Sequence, residues 1–242
     1  MTLQEIAGEI ETNCLVPAGE GDRFAGYTVV GVPFRSGHVL ALRRFPASSV
    51  GPGYTSVWHR DPRGVWTFYS TVRPDLGCSR YFGGEVTYNV VGPIGIDWTG
   101  PTRFIVNIGK NGKVLRWEVG LRTSLSTRIM NAAARLVPDA WWHRRLMLKI
   151  MGLATRWALG TGKLNLTGKT PNGHQFIANA QRVWLIDSSQ AVLNGGDLGP
   201  TGALTRQARL NEFLIPQRGL FAVANAFLQT PRQNNEYAKE LS

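Results

Sequence analysis

The sequence predicts a mainly β protein: an antiparallel, barrel-like sheet carrying an inserted α-helical hairpin near residues 126–159, with short helices toward the termini. Three observations predict it. Short β-branched and aromatic runs bounded by turn residues recur from Tyr27 to Leu193. Twenty-eight glycines and 13 prolines in 242 residues supply the turns that such a fold needs. One stretch alone switches strongly to helical period, and it is set between strand-like segments.

Taken in order, Thr2-Leu3-Gln4-Glu5 has the form of a capping box, and Leu3, Ile6 and Ile10 share one face of a short helix that would cover an end of the sheet. Strands are predicted at 27–32 and 39–42. Residues 56–60 and 65–69 flank Asp61-Pro62-Arg63-Gly64, which suits a type I turn and so predicts a hairpin. Residues 86–91 and 94–98 read as further strands. The clearest hairpin joins 103–108 to 114–122 through Asn111-Gly112, a pair suited to positive φ. In its second arm Leu115, Trp117, Val119 and Leu121 alternate with Arg116, Glu118, Gly120 and Arg122, giving one apolar and one wet face.

Helices are predicted at 126–137, stopped by Pro138, and at 140–159, capped by Asp139 and ended by Gly160 and Gly162. Strands resume at 163–167, 175–178, 183–186 and 191–193, with turns at Pro171-Asn172-Gly173 and Asn194-Gly195-Gly196-Asp197. Residues 205–213 read as a short helix. Residues 219–228 are apolar and fit helix or strand equally, and 231–242 is a polar tail. Chain length suits a single domain of 1–242; the insertion either separates two lobes or interrupts one sheet.

The net charge is +11, and it is concentrated. Between Arg103 and Lys169 stand 13 Lys or Arg against two acids, Glu118 and Asp139; the difference of 11 equals the net charge of the whole chain. Within this stretch Arg145, Lys149, Gly152 and Arg156 form one helical stripe beside Trp141 and Trp142. Indole rings sit well at head-group level and long cations reach phosphates, so an anionic membrane surface is a candidate partner. A core helix with a solvated basic stripe, or a protein partner, fits the same pattern.

Several functions find no support. No helix-turn-helix, zinc-finger or RNP pattern accompanies the basic charge, so nucleic acid is a poor candidate. Gly162 to Gly168-Lys169-Thr170 approaches a phosphate loop but holds five residues between its glycines where the motif needs four. No G-x-S-x-G is present. His38, His59, His143 and His174 are spread without ligand spacing, so neither a metal nor another cofactor is predicted. Cys14 and Cys78 lack a metal or redox spacing and read as reduced thiols. The acidic start, with Glu5, Glu9 and Glu11, predicts no secretory leader, and no apolar run is long enough to span a bilayer. The expected location is cytoplasmic, with any membrane contact peripheral.

Candidate site residues come from the aromatic strands. Trp58, Trp66, Tyr69, Tyr81, Trp98 and Trp117, with Arg80, are the predicted ligand-binding set inside a barrel cavity. Asp97, between Ile96 and Trp98, and Glu85, beyond Gly83-Gly84, are the candidate general acids or bases, since a carboxyl in an apolar barrel would have a raised pKa. An Asp97 directed to bulk water would remove that role.

The strand order, Trp66-Thr67-Phe68-Tyr69 and Ile96-Asp97-Trp98 resemble calycin or lipocalin-like proteins of the AttH and carotenoid-hydratase type, over about Tyr27–Leu121. That resemblance implies a barrel handling apolar molecules; it lacks the family's Trp-rich opening, and no catalytic residue carries over. Trp98-Thr99-Gly100-Pro101-Thr102-Arg103 resembles the acetoacetate decarboxylase fold. Its chemistry implies a Schiff-base lysine in a dry pocket. Lys110, Lys113, Lys149, Lys163, Lys169 and Lys239 fall at turns, a strand, the basic stripe or the tail, so the likeness implies the fold without the activity. The function expected is binding of an apolar, lipid-like or isoprenoid-like molecule. The alternative is an enzyme of lipid, isoprenoid or polyketide metabolism using a cavity carboxylate.

Overall fold

The computed structural model describes residues 1–135 and 159–230. Fourteen strands are present among them: β1 (Asp22–Pro33), β2 (Val39–Ser48), β3 (Tyr54–Arg60), β4 (Trp66–Ser70), β5 (Tyr88–Val91), β6 (Ile94–Gly100), β7 (Arg103–Ile108), β8 (Leu115–Arg122), β9 (Thr167–Lys169), β10 (Gln175–Leu193), β11 (Gly196–Asp197), β12 (Arg209–Leu210), β13 (Phe213–Leu214) and β14 (Leu220–Gln229). Helices α1 (Leu3–Asn13), α2 (Ser79–Phe82) and α3 (Leu125–Arg135) accompany them. Twelve strands make one sheet, ordered β5-β4-β3-β2-β1-β14-β10-β8-β7-β6, with β9 and β11 also paired to β10. Strands from both sides of the helical insertion share this sheet.

The sheet curls into a half-barrel. Its edge strands β5 and β6 are consecutive in the chain, separated only by Gly92 and Pro93. Three Cα steps reach at most roughly 11 Å, so the two edges must approach each other. Pro93 offers no backbone donor at this junction.

The capping box of α1 forms as expected: Glu5 N donates to Thr2 Oγ1 at 3.2 Å and Thr2 N to Glu5 Oε2 at 2.9 Å. The helix buries Leu3, Ile6 and Ala7. Its last turn is tied down by Glu11, which accepts from Tyr27 Oη at 2.8 Å and from Arg44 Nη2 at 2.5 Å. The β3–β4 turn closes through Gly64 N to Asp61 O at 3.0 Å. In the β7–β8 hairpin Asn111 and Gly112 take φ of 55° and 70°.

Other expectations change. The pairing is mixed, because β5 runs parallel to β4 after a crossover through residues 74–85. The strand predicted at 163–167 starts only at Thr167. The three segments within 175–193 are a single strand, kept continuous by register shifts at Ala180/Arg182 and Ile186/Ser188. The helix predicted at 205–213 is absent; β12 and β13 turn there at Asn211, with φ 51°. Residues 219–228 resolve as β14, held between β1 and β10. Of the insertion, α3 is described; the second helix and the polar tail lie outside the described residues.

Two cores form on opposite faces. One draws on β1–β4, β7, β8, β10, β14 and α1 together. Strands from both ends of a sheet can meet only on its concave side, which Trp117, Phe104 and Phe221 fill, each 1% exposed or less. The other joins β1–β4, the start of β10 and β14 to α2 and to residues 208–215, which cover the convex side. Gly31 lets that cover come down: a Cβ there would stand 2.3 Å from Ile215 Cγ2.

Candidate functional site

Side chains pack much of the concave side, where an open groove of about 570 Å³ remains beneath α1. Enclosed apolar space lies instead on the convex face, between the sheet and the segments 164–166 and 213–214. Its floor is made of Ala178 and Ala180 of β10 and Ala222, Ala224 and Ala226 of β14. Alternate residues of a strand share a face, so A-x-A on one strand and A-x-A-x-A on its neighbour sink a depression into the sheet. The cavity measures about 140 Å³, and a smaller space of about 60 Å³ adjoins it, sharing Arg43, Phe45, Ala178, Phe213 and Ala226 as walls.

Arg43 is the charged group at this junction. It is 5% exposed and meets no carboxylate among the described residues. Nη1 donates to Thr28 Oγ1 at 2.5 Å, Val29 O at 2.7 Å and Leu42 O at 2.9 Å, and Nη2 reaches Val30 O at only 3.4 Å. These carbonyls are bared by the irregular β1–β2 register between Val29 and Val32. The guanidinium lies between two rings, 4.4 Å from the centroid of Trp58 and 5.5 Å from that of Phe213. Burial pushes its pKa down to about 10, so it stays a cation at neutral pH.

Beside it, Tyr54 Oη and Cys78 Sγ are hydrogen-bonded at 3.2 Å. Burial raises the pKa of both, first among its causes, so they stand as a neutral hydroxyl and an unreactive thiol. Asn131 of α3 closes the far wall, with Val183 N donating to its Oδ1 at 2.8 Å and its Nδ2 to Val183 O at 3.0 Å. Among the described residues no Asp or Glu lines either space.

The predicted ligand-binding aromatics divide between faces. Trp58 and Tyr81 line the cavity. Tyr81 is fixed by its hydroxyl donating to Asp22 at 2.7 Å, and Arg80 pairs with the same carboxylate at 3.4 Å, on the surface. Trp66 packs edge-on against Phe68 in the convex core. Tyr69 and Trp117 belong to the concave core, where Trp117 Nε1 donates to Ser189 Oγ at 2.8 Å. Trp98 lines an open groove beneath α1.

The two carboxylates are elsewhere. Asp97 occupies an outward position of β6 and accepts from Asn107 Nδ2 at 3.1 Å. Glu85 is exposed and accepts from Asn211 N at 3.1 Å, tying the α2 region to the β12–β13 turn. Neither enters an apolar space, so the premise of a desolvated acid fails for both. Trp141, Trp142, Arg145, Lys149 and Arg156 lie outside the described residues.

Sequence reasoning missed Arg43, one cation in an Arg43-Arg44 pair, and the alanine floor. The signal for the floor was present in A-V-A-N-A at 222–226 and A-N-A at 178–180.

No protein-family profile matches the chain, and no curated protein sequence matches it. Among solved structures it is similar to an acetoacetate decarboxylase from Legionella pneumophila, at 11% identity and a TM-score of 0.40, over 93% of this chain and 92% of that one. Lys110, Lys113, Lys163 and Lys169 are exposed, and none lines the Arg43 cavity. No described helix is long and apolar enough to cross a membrane.

Proposed function

We propose that the protein binds a small apolar molecule bearing a carboxylate or comparable monoanion, its head on Arg43 and its body over the alanine floor. The observation that carries this reading is a buried guanidinium at the wall of an apolar cavity with no counter-ion among the described residues. An isolated buried charge costs several kcal/mol, roughly, unless something compensates it. The neighbouring acceptors take Nη1, while among the described residues Nη2 has only the long contact to Val30 O at 3.4 Å. An anionic ligand supplies the missing charge. A cavity of about 140 Å³ suits a compact guest, close to the size of engineered apolar cavities of roughly 150 Å³ that hold benzene.

Binding is the reading supported, since the cavity holds no carboxylate for acid–base work among the described residues. The test is titration with benzoate against benzamide, followed by calorimetry. Benzoate binds at least tenfold more tightly, and Arg43→Met abolishes the difference. Equal affinity for acid and amide in the unaltered protein sinks the reading.

A further inference from the structure

We propose a second anion site, for the phosphates of a small soluble phosphoanhydride, in the open cleft formed by Lys163, Arg206, Gln207 and Arg209. The cleft measures about 420 Å³ and abuts the apolar cavity, Leu214 lining both. Three cations converge on it, all exposed, and none has a carboxylate within 4 Å among the described residues. The nearest acid in sequence, Glu212, is engaged elsewhere: its Oε2 accepts from Lys169 N at 2.7 Å.

Like charges brought together without a counter-ion repel, and among the described residues no carboxylate lines the cleft to offset that repulsion. The backbone that carries two of them is tied down. Gln207 Nε2 donates to Lys163 O at 2.7 Å and to Ile215 O at 2.8 Å, clamping residue 163 to the cover segment. Arg209 is fixed opposite Leu214 by the β12–β13 ladder. Two guanidinium forks and an ammonium match the several oxygens of a diphosphate, whereas a single carboxylate would occupy one of them. The concavity favours a small polyanion over the flat face of a bilayer. This site stands independently of the Arg43 reading, although the shared Leu214 wall places the two ligand groups side by side.

The experiment is calorimetric titration of inorganic pyrophosphate into the full chain at low ionic strength and again at high salt. Pyrophosphate binds, more weakly in salt. Arg206→Gln/Arg209→Gln weakens it at least tenfold, with the melting temperature retained because both side chains are exposed. Arg43→Met leaves pyrophosphate affinity unchanged, so failure of the cavity reading is seen separately. Arg145→Gln/Lys149→Gln, on the other basic segment, also leaves it unchanged. Pyrophosphate affinity that is indifferent to the Arg206/Arg209 change, or that falls equally with Arg145 and Lys149, overturns the proposal. So does the case in which pyrophosphate fails to bind while phosphatidylglycerol vesicles are retained through Arg206 and Arg209, which would assign the cleft to lipid head groups.

Discussion

The guanidinium carbon of Arg43 lies 4.4 Å from the centroid of the Trp58 ring, and that ring in turn stacks on Phe68 at 4.4 Å and 10°. A cation is thus held on an aromatic face in a site with little water, where such contacts are worth about 2 kcal/mol or more. The same cation caps the carbonyls of an irregular β1 segment. Arg43→Met therefore sets two terms against each other. Removing an unpaired buried charge stabilises by about 1–4 kcal/mol. Orphaned carbonyl groups cost about 1–3 kcal/mol each. With three carbonyls losing a donor the costs exceed the relief, and urea denaturation should show a net loss of about 1–4 kcal/mol. A loss above about 4 kcal/mol would make Arg43 a cap for the strand irregularity first and a ligand group second.

His38 and His59 predict a pH response. Their Nδ1 and Nε2 atoms are 2.9 Å apart and the rings stack at 5.2 Å and 20°, so one ring donates to the other and only one proton is shared. Burial, then repulsion from His38, pushes His59 down to about 4, with Asp61 opposing; burial also lowers His38. A histidine with a depressed folded pKa contributes stability that is fully present above its unfolded value near 6.5. As pH falls, the unfolded chain takes up a proton that the folded chain refuses, and stability drops until the folded pKa is reached. The loss between pH 6.5 and 4 is on the order of 3 kcal/mol. Urea midpoints at pH 7 and pH 4.5 should show a marked fall in the unaltered protein and a shallower one in His59→Asn. Parallel pH profiles in the two proteins would exclude the pair as the source.

Strand alternation made much of the fold readable. Leu115, Trp117, Val119 and Leu121 are buried as their period of two requires, and Asp61–Gly64 and Asn111-Gly112 turn as their chemistry requires. Alternation states which residues share a face; it does not state which face another segment will cover. Trp58 and Val57 are neighbours in β3, yet one lines the convex cavity and the other sits in the concave core. The aromatic set was therefore read as one lining when it is two. Residues 219–228 were ambiguous for the same reason: a strand buried on both faces loses its alternation. Arg43 was illegible because its burial depends on Phe213, 170 positions away in sequence.

The basic tryptophan segment carries its own prediction. The sequence spaces Arg145, Lys149 and Arg156 at intervals of four and seven; if that spacing acts as the basic stripe it predicts, the chain floats with vesicles rich in phosphatidylglycerol and not with neutral ones. Changing the three residues to Glu should release it by about 1 kcal/mol per charge removed near the surface, and at least as much again for each reversal. Full flotation of the triple variant would show that electrostatic attraction by this stripe is not the anchor.

The last prediction separates the two faces of a single strand. Ala224 lines the Arg43 cavity, and its neighbour Val223 packs against the concave core. An isobutyl group at 224 grows into empty space over the alanine floor, whereas a deletion at 223 leaves a gap among packed side chains. Ala224→Leu should fold with a melting temperature close to the unaltered protein and lose at least tenfold in affinity for benzoate. Val223→Ala should cost about 1–2 kcal/mol of stability and leave benzoate affinity unchanged. Thermal melts and titrations of the two variants give a crossed pattern only if ligand sits on the convex side. If Val223→Ala weakens benzoate and Ala224→Leu does not, the guest occupies the concave side and the assignment of the site to Arg43 fails with it.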